Sequence, residues 1–524
     1  MKIESLVFRK LPLVSVLAAM AVGILAKLNL TRSELLPGID GAYYWVQVRS
    51  ILENQTLAFS DLPFVFWIQA GIAQVVGNVP LAVRISDAVL PAISAIPIYF
   101  IAKKYRKPFL PAIAILIVLL HPIQLYYFTG DFIKNEATIP VFFFMALVLI
   151  NWDKKSKRFS ILSLVGLTLL IAISHFGTLF LALMLVGTWA LFQLRKSSFK
   201  FWLRGIAISV GALALSLAIL AILVPTRYER LVNLITTPTV IFQNPAYDRI
   251  LQGSSLSVVT FAIIISQISS VILGAFTWYS RSKYSFSDLS LVISSLITTF
   301  IFSSPFIGME WSDRLAGLSF VSLSIAAIII FGSAEKLIQK LPIAILATVT
   351  LLSSLPLSNF DLKRVFSDEE YSNFKDLASN VEISQNSVIV ARHGVEFLSA
   401  WEFGTDVVLD TYYDSADLSS YDSVYYIQES KSFAPGIGGG GTGQKPTSPP
   451  GGTGEKFTPP PGGTGEKFTP PPGGTGEKFT PPPGGKGPSD MGGKKNMPMD
   501  QPKKVEITGE TVYSNNSFAV VKVR

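Results

Sequence analysis

Long runs of apolar residues, separated by short polar loops, fill the chain from its N-terminus to about residue 356. The runs carry no polar stripe at helical spacing, and most approach the ~20 residues that cross a hydrocarbon core. This pattern predicts a mainly α fold, a polytopic bundle of about eleven transmembrane helices. The predicted spans are Leu11–Ala26, Pro80–Ala102, Leu110–Tyr127, Thr138–Asn151, Ile161–Ser174, Gly177–Leu194, Gly205–Val224, Val258–Trp278, Leu289–Phe306, Leu315–Phe331 and Ile343–Leu355.

Basic residues cluster in alternate loops between these runs, and the chain carries a net charge of +8. Because the clusters lie at membrane boundaries, they follow the positive-inside rule and mark the cytoplasmic loops. They do not indicate a nucleic-acid-binding surface, and we expect no nucleic-acid partner. The sequence therefore predicts a multi-pass protein of the cell membrane, with a cytoplasmic N-terminus and an extracytoplasmic region after Pro356. The absence of cysteine excludes disulfides and thiolate metal sites.

Two regions outside the spans have patterns of their own. Residues 1–356 are predicted to form the transmembrane domain. The first outer loop of this domain, 29–79, contains the apolar stretch Leu62–Val76, and this stretch predicts helices that lie along the membrane. Residues 357–431 together with 503–524 predict a small extracytoplasmic α/β domain. Its predicted strands are Ser387–Ala391, Val407–Leu409, Val424–Ile427, Val505–Ile507 and Phe518–Val523.

An eleven-residue repeat, Gly-Gly-Thr-Gly-Glu-Lys-Phe-Thr-Pro-Pro-Pro, begins at Gly451, Gly462 and Gly473. So much proline and glycine cannot bury enough apolar area to offset the entropy of ordering. Residues 432–502 are therefore predicted to be a disordered or polyproline II insertion, a spacer in preference to a dedicated partner site.

The first candidate for chemistry is Asp40, which follows the first predicted span and precedes Tyr43 and Tyr44. A carboxylate at this position can activate a hydroxyl or amide nucleophile as the catalytic group, or bind a cation, and the tyrosine rings are suited to binding a sugar. A turn in a solvated loop with interfacial aromatics remains the alternative.

A second polar group lies in the loop before the fourth predicted span. Asp131 and Glu136 can join Asp40 in holding a divalent cation, Mg²⁺ or Mn²⁺, while Lys134 can neutralise a phosphate and Asn135 adds an amide to the substrate site. Charged groups at a membrane boundary are costly and are often functional. A local ion pair in a short polar loop is the alternative.

Two further residues are candidates for binding phosphate. His175 lies in a predicted outer turn, where its imidazole can donate to a phosphate oxygen, although a single boundary histidine is more often structural. Arg314 enters the outer end of a later span, where its guanidinium geometry suits a phosphate, with a pair to Asp313 or Glu310 as the alternative. The chain has no Walker motif, dinucleotide fingerprint or Gly-x-Ser-x-Gly elbow, which argues against direct nucleotide chemistry.

Between about Leu11 and Leu355 this arrangement resembles the GT-C superfamily of membrane glycosyltransferases, to which oligosaccharyltransferase catalytic subunits, protein O-mannosyltransferases and aminoarabinose transferases belong. The resemblance lies in Gly38-Ile39-Asp40-Gly41-Ala42-Tyr43-Tyr44, in the stretch from Gly130 to Glu136 and in Ser174-His175-Phe176-Gly177-Thr178; the ending from Glu510 to Phe518 is similar to the final strands of such enzymes. It implies that Asp40 is the catalytic or metal-binding acid. It does not extend to a Trp-Trp-Asp-Tyr-Gly segment, which the sequence lacks.

The resemblance implies transfer of a sugar from a polyprenyl-phosphate carrier, such as a dolichyl phosphate, to a glycan, lipid or protein acceptor on the extracytoplasmic face. Membrane lipid is then an expected partner. Two readings from other classes stay open: a transporter or flippase of lipid-linked sugars, which predicts ionisable residues in the middle of spans, and a noncatalytic scaffold that displays the repeat.

Overall fold

The computed structural model describes residues 2–30, 33–121, 130–154, 156–194, 225–243, 258–308, 317–334, 365–384, 386–414, 416–429 and 509–524, with a few isolated positions between these ranges. The described chain is mostly helical and ends in a small sheet. Its α-helices are α1 (Lys2–Leu30), α2 (Gly41–Asn54), α3 (Phe64–Val76), α4 (Val79–Ala92), α5 (Ala95–Lys103), α6 (Leu110–Leu119), α7 (Ile133–Ile150), α8 (Lys157–Ala172), α9 (Phe176–Gln193), α10 (Pro225–Thr236), α11 (Val258–Tyr279), α12 (Phe286–Phe302), α13 (Gly317–Ser333), α14 (Asp368–Asn380) and α15 (Val395–Phe403).

Within the described residues, three helical stretches are long and apolar enough to cross a membrane: Pro12–Asn29, Val79–Lys103 and Ile133–Ile150. Six shorter apolar helices accompany them, and together they indicate a membrane protein. Nine of the predicted spans coincide with described helices, so helix formation by the apolar runs is confirmed there. The other two, Gly205–Val224 and Ile343–Leu355, lie outside the described ranges, and the count of about eleven spans stays a prediction.

The predicted span Pro80–Ala102 consists of two helices, α4 and α5, with a turn between them. Pro91 lies in the last turn of α4 and Pro97 near the start of α5. A proline has no amide hydrogen, so the carbonyls four residues before these two prolines lose their helical partners. The interruption therefore follows from the sequence, and one of the released carbonyls, that of Asp87, accepts a hydrogen bond from Lys27 at 3.4 Å.

Small polar residues line the contact between α12 and α13. Ser294, Ser295 and Thr299 on α12 are buried, as are Ser319 and Ser322 on α13. Small side chains let helix backbones approach closely, and the Thr299 hydroxyl donates to the carbonyls of Ser295 at 2.8 Å and of Ser319 on α13 at 3.4 Å. This pair forms part of a core that also contains α6, α7 and α9.

The C-terminal sheet has five strands in the order β2-β1-β3-β5-β4. Strand β1 is parallel to both β2 and β3, whereas β5 is antiparallel to β3 and β4. The predicted strand Val505–Ile507 lies outside the described residues, and β4 was expected only from the resemblance because its side chains are mostly exposed. The strands are β1 (Ser387–Ala391), β2 (Asp406–Leu409), β3 (Ser423–Glu429), β4 (Glu510–Ser514) and β5 (Phe518–Lys522).

The sheet region is packed directly on α2, so the two share one hydrophobic core. Arg49 of α2 donates to the carbonyls of Ala400 and Trp401 at 2.7 and 2.8 Å. The Trp45 ring lies 5.4 Å from that of Trp401, and the amide of Val365 donates to the Pro37 carbonyl at 3.0 Å. The C-terminal region therefore holds the segment that leads into α2, which contains Asp40.

Candidate functional site

Asp40 occupies the N-cap position of α2 but does not cap it. A short polar residue at this position normally accepts a hydrogen bond from an amide of the first turn, which stabilises the helix. The Asp40 side chain makes no such bond, and its backbone lies at φ -94° and ψ 4°, in the bridge region that is common at active sites. The half-buried carboxylate is therefore available for a role other than capping.

Asp131 lies beside Asp40 and is held in an uncommon conformation. Its φ is 56°, in the left-handed region, and its residue is 2% exposed. The backbone amides of Gly38 and Gly41 face its carboxylate, yet neither oxygen completes a hydrogen bond of standard geometry among the described residues. Burial raises the pKa of Asp131 well above its ordinary range, and the charge of Asp40 raises it further.

The close approach of these two loops requires glycine at position 38. A Cβ added to Gly38 would lie 2.6 Å from Cγ and Oδ2 of Asp131 and 2.8 Å from the carbonyl carbon of Gly130. At Gly41 the corresponding distance to Asp131 Oδ2 is 3.3 Å. The backbone of the Asp40 segment thus packs against the Asp131 carboxylate, which explains the glycines at positions 38 and 41.

Tyr43 and Lys134 meet at a third carboxylate, that of Asp61. The Tyr43 hydroxyl donates to Asp61 Oδ2 at 2.5 Å, and the Lys134 ammonium forms an ion pair with the same oxygen. Tyr44 is 2% exposed, and burial raises its pKa, with further contributions from Asp40 and Asp61. Stacking of either tyrosine on a sugar requires this packed cluster to open, and it stays a prediction.

Asn135 and Glu136 lie in the first turn of α7 and are buried. Glu136 accepts from the Lys27 ammonium at 2.5 Å, with both side chains almost fully buried, and the carboxylate of Asp87 faces Glu136. The amide nitrogen of Asn135, Oε2 of Glu136 and Oδ1 of Asp87 have no hydrogen-bond partner among the described residues. The cluster lies next to Asp131, so polar groups extend from Asp40 into the helix bundle.

The structure adds two residues that the sequence did not single out, His393 and Glu396. They lie in the loop after β1 and in the first turn of α15, and His393 Nδ1 is 2.8 Å from Oε1 of Glu396. Burial opposes the charged imidazole, but the bond and charge of Glu396, together with the charge of Asp40, raise the pKa of His393 to about 9. No local pattern marks this pair, because the Asp40 segment lies more than 300 positions earlier in the chain.

The two remaining predicted site residues are His175 and Arg314. His175 caps α9, with Nδ1 accepting from the Thr178 amide at 3.3 Å. A Cβ on Gly177 would lie 2.8 Å from Cε1 of this imidazole and 3.6 Å from Leu315. Capping is a local structural role, and the predicted contact with phosphate stays a prediction. Arg314 lies outside the described residues.

The predicted metal site requires the carboxylates of Asp40, Asp131 and Glu136 to converge. In the described part of the chain, no group of three or more potential ligands is arranged to hold a metal ion. Glu136 contacts Lys27 instead, which supplies the positive charge that a cation would bring. The side chains as they stand therefore do not fit the predicted ligand set, and Mg²⁺ or Mn²⁺ binding stays a prediction.

Comparisons with known proteins add a similarity to solved structures. No protein-family model matches the sequence, and no curated protein matches it. Among solved structures, the chain is similar to the crystal structure of the Archaeoglobus fulgidus oligosaccharyltransferase in complex with Zn and sulfate. The TM-score is 0.49 and the sequence identity 11%, over 78% of this chain and 67% of that chain. The function of this chain is therefore inferred from its own residues.

Proposed function

We propose that this protein is a membrane glycosyltransferase that moves a sugar from a polyprenyl-phosphate carrier to an acceptor at the site around Asp40. The observation that carries the proposal is the buried Asp131 carboxylate, without a completed hydrogen bond and packed beside Asp40 where the membrane helices meet the C-terminal sheet region. An unsatisfied buried carboxylate is costly, and perturbed carboxylates concentrate at functional sites.

In the proposed reaction Asp40 acts as general base or orients the acceptor. An acceptor hydroxyl or amide attacks the anomeric carbon of the donor sugar, and its proton passes to the Asp40 carboxylate. The bond between the anomeric carbon and the phosphate oxygen breaks, and the polyprenyl phosphate leaves with the electron pair. One such displacement inverts the anomeric configuration.

Asp131 contributes by position and by charge in this scheme. Burial and the charge of Asp40 disfavour ionisation of Asp131, so its carboxyl holds a proton more readily than an exposed one. The packing of Gly38 against Asp131 fixes the separation between the two loops. We assign to Asp131 the positioning of the Asp40 segment and to Asp40 the contact with substrate.

The location of the site explains the choice of a lipid-linked donor. Asp40 precedes α2 and Asp131 precedes α7, so both lie at ends of helices in a protein that contains helical stretches long and apolar enough to cross a membrane. A polyprenyl chain can remain in the lipid while its phosphate reaches this boundary. Lys134, His175 and Arg314 are proposed to offset the charge on the leaving phosphate, as the sequence predicted; for Lys134 this requires release from Asp61.

The transporter reading predicts ionisable groups in the middle of spans. Asp87 lies within the apolar stretch Val79–Lys103 and is 1% exposed, whereas Lys27 lies in the last turn of α1 and Glu136 in the first turn of α7. Both therefore lie at the same helix ends as the carboxylate pair.

The proposal is tested with purified protein and labelled polyprenyl-phosphate sugars, comparing wild type with Asp40→Asn. The substitution keeps the size of the side chain but removes the carboxylate that acts as the base, so we expect the rate of sugar transfer to fall at least about 100-fold. Asp153→Asn is the matched control, because Asp153 is exposed in the loop after α7. Equal transfer by wild type and Asp40→Asn would reject the assignment, and a chelator arm tests the metal separately.

A further inference from the structure

The loop that follows strand β1, residues 392–394, reaches from the sheet region to the Asp40 segment. Gly394 has a φ of +94°, and a Cβ added there would lie 2.6 Å from Cγ1 of Ile39. A side chain at this position would therefore be strained and would collide with the residue immediately before Asp40. The close approach places His393, next to Gly394, within electrostatic range of Asp40.

Glu396 fixes the orientation of the His393 ring. Its carboxylate is 4% exposed and lies 2.8 Å from Nδ1, whereas the His393 side chain is 49% exposed. A buried carboxylate bonded to one ring nitrogen stabilises the imidazolium and determines which edge faces outward. The opposite nitrogen, Nε2, is then a charged donor on the open side of the ring.

Several other cations of this region have carboxylate partners, and Arg49 and Arg84 donate to backbone carbonyls. Lys134 is paired with Asp61, Lys27 with Glu136, and Arg392 with Glu429 at 2.6 Å. An anionic phosphate that approaches Asp40 and Asp131 meets two acids, so it requires a compensating positive donor. His393 has the exposure and the free ring edge that this contact needs.

We propose that His393, oriented by Glu396, binds the phosphate group of the lipid-linked donor through Nε2–H. The inference deepens the proposed function and rests on it for the identity of the ligand. His393 thereby becomes the contribution of the C-terminal sheet region to a site otherwise built from the membrane helices. A charge-assisted hydrogen bond to phosphate is stronger than a neutral one, so its removal has a measurable effect on affinity.

The test measures binding of polyprenyl monophosphate, without sugar, to the full chain in lipid nanodiscs. We expect His393→Gln to weaken binding about tenfold or more, because the charged donor is lost. His393→Lys restores a cation at the same position and should recover most of the affinity. Lys522→Gln is the matched control, since it removes an exposed cation from the same sheet and should leave binding unchanged. Melting temperatures of all variants establish that they remain folded.

The binding measurements distinguish a lipid-phosphate site at His393 from a free-phosphate site and from no site at His393. Wild-type affinity in folded His393→Gln, or equal loss in the Gln and Lys variants, would overturn the assignment of His393 as the phosphate-binding cation. The assignment would also be overturned if wild type failed to bind polyprenyl phosphate. It would be overturned, too, if inorganic phosphate bound with the same affinity, because that result identifies a site for free phosphate. Wild type that binds the lipid phosphate through His393 but transfers no sugar rejects the proposed transferase function and leaves the binding site standing.

Discussion

Substitution of Gly38 by alanine probes the packing that brings the two acidic loops together. Gly38 is not among the glycines with positive φ, so alanine causes no backbone strain of that kind. The new methyl group instead lies 2.6 Å from two atoms of the Asp131 carboxylate. Since ordinary van der Waals contact begins at 3.4 Å, the carboxylate or the loop has to move by at least about 0.8 Å.

The expected effect on activity exceeds the effect on stability. Overpacking of a dense site costs about 1–3 kcal/mol, which leaves most of a domain's stability in place. Misplacement of a catalytic group by ~1 Å can lower the rate about 100-fold. We therefore expect Gly38→Ala to reduce sugar transfer by about two orders of magnitude, with a modest decrease in melting temperature.

The assay compares initial rates of sugar transfer at equal amounts of folded protein. Gly71→Ala is the matched control, because a Cβ at Gly71 meets nothing within 4 Å and alanine favours its helix, α3. A wild-type rate in Gly38→Ala, or an equal loss of activity in both alanine variants, would contradict this role of Gly38.

Two further predictions concern buried and titrating charges. Glu136→Gln removes the carboxylate that is paired with the buried Lys27 ammonium, so thermal unfolding in detergent should show a decrease of about 3–5 kcal/mol in the free energy of unfolding. Adding Lys27→Met should recover part of this loss, and an unchanged melting temperature would contradict this ion-pair role. Because the pKa of His393 is raised to about 9 from 6.5, its contribution to stability is complete below pH 6.5 and is lost as the pH rises through 9. The melting temperature of wild type should thus fall more steeply between pH 7 and 10 than that of His393→Gln, and parallel curves would count against the His393–Glu396 pair.

The sequence predicted the helices of the described residues because the signal for a helix is local. Each apolar run requires internal hydrogen bonding in lipid, so it becomes a helix wherever the chain is described. Asp40 and Asp131 each follow an apolar run that leads toward the same predicted side of the membrane. Their proximity in the structure follows from that topology together with the glycines at positions 38 and 41.

Contacts between distant segments could not be predicted from the same patterns. The sequence suggested a local ion pair in the Lys134–Glu136 stretch, whereas Lys134 pairs with Asp61 and Glu136 with Lys27. Likewise, His393 approaches the Asp40 segment only because the sheet region is packed on α2. Such pairs depend on tertiary packing, which hydrophobic periodicity does not encode.

The decisive measurement compares transfer of a labelled sugar from polyprenyl phosphate by purified wild type and Asp40→Asn, at equal amounts of folded protein. We expect clear transfer by wild type and Asp153→Asn and at least about a 100-fold loss in Asp40→Asn. Equal rates in wild type and Asp40→Asn would remove Asp40 from the reaction, and no transfer by wild type across several sugar donors would contradict the transferase function itself.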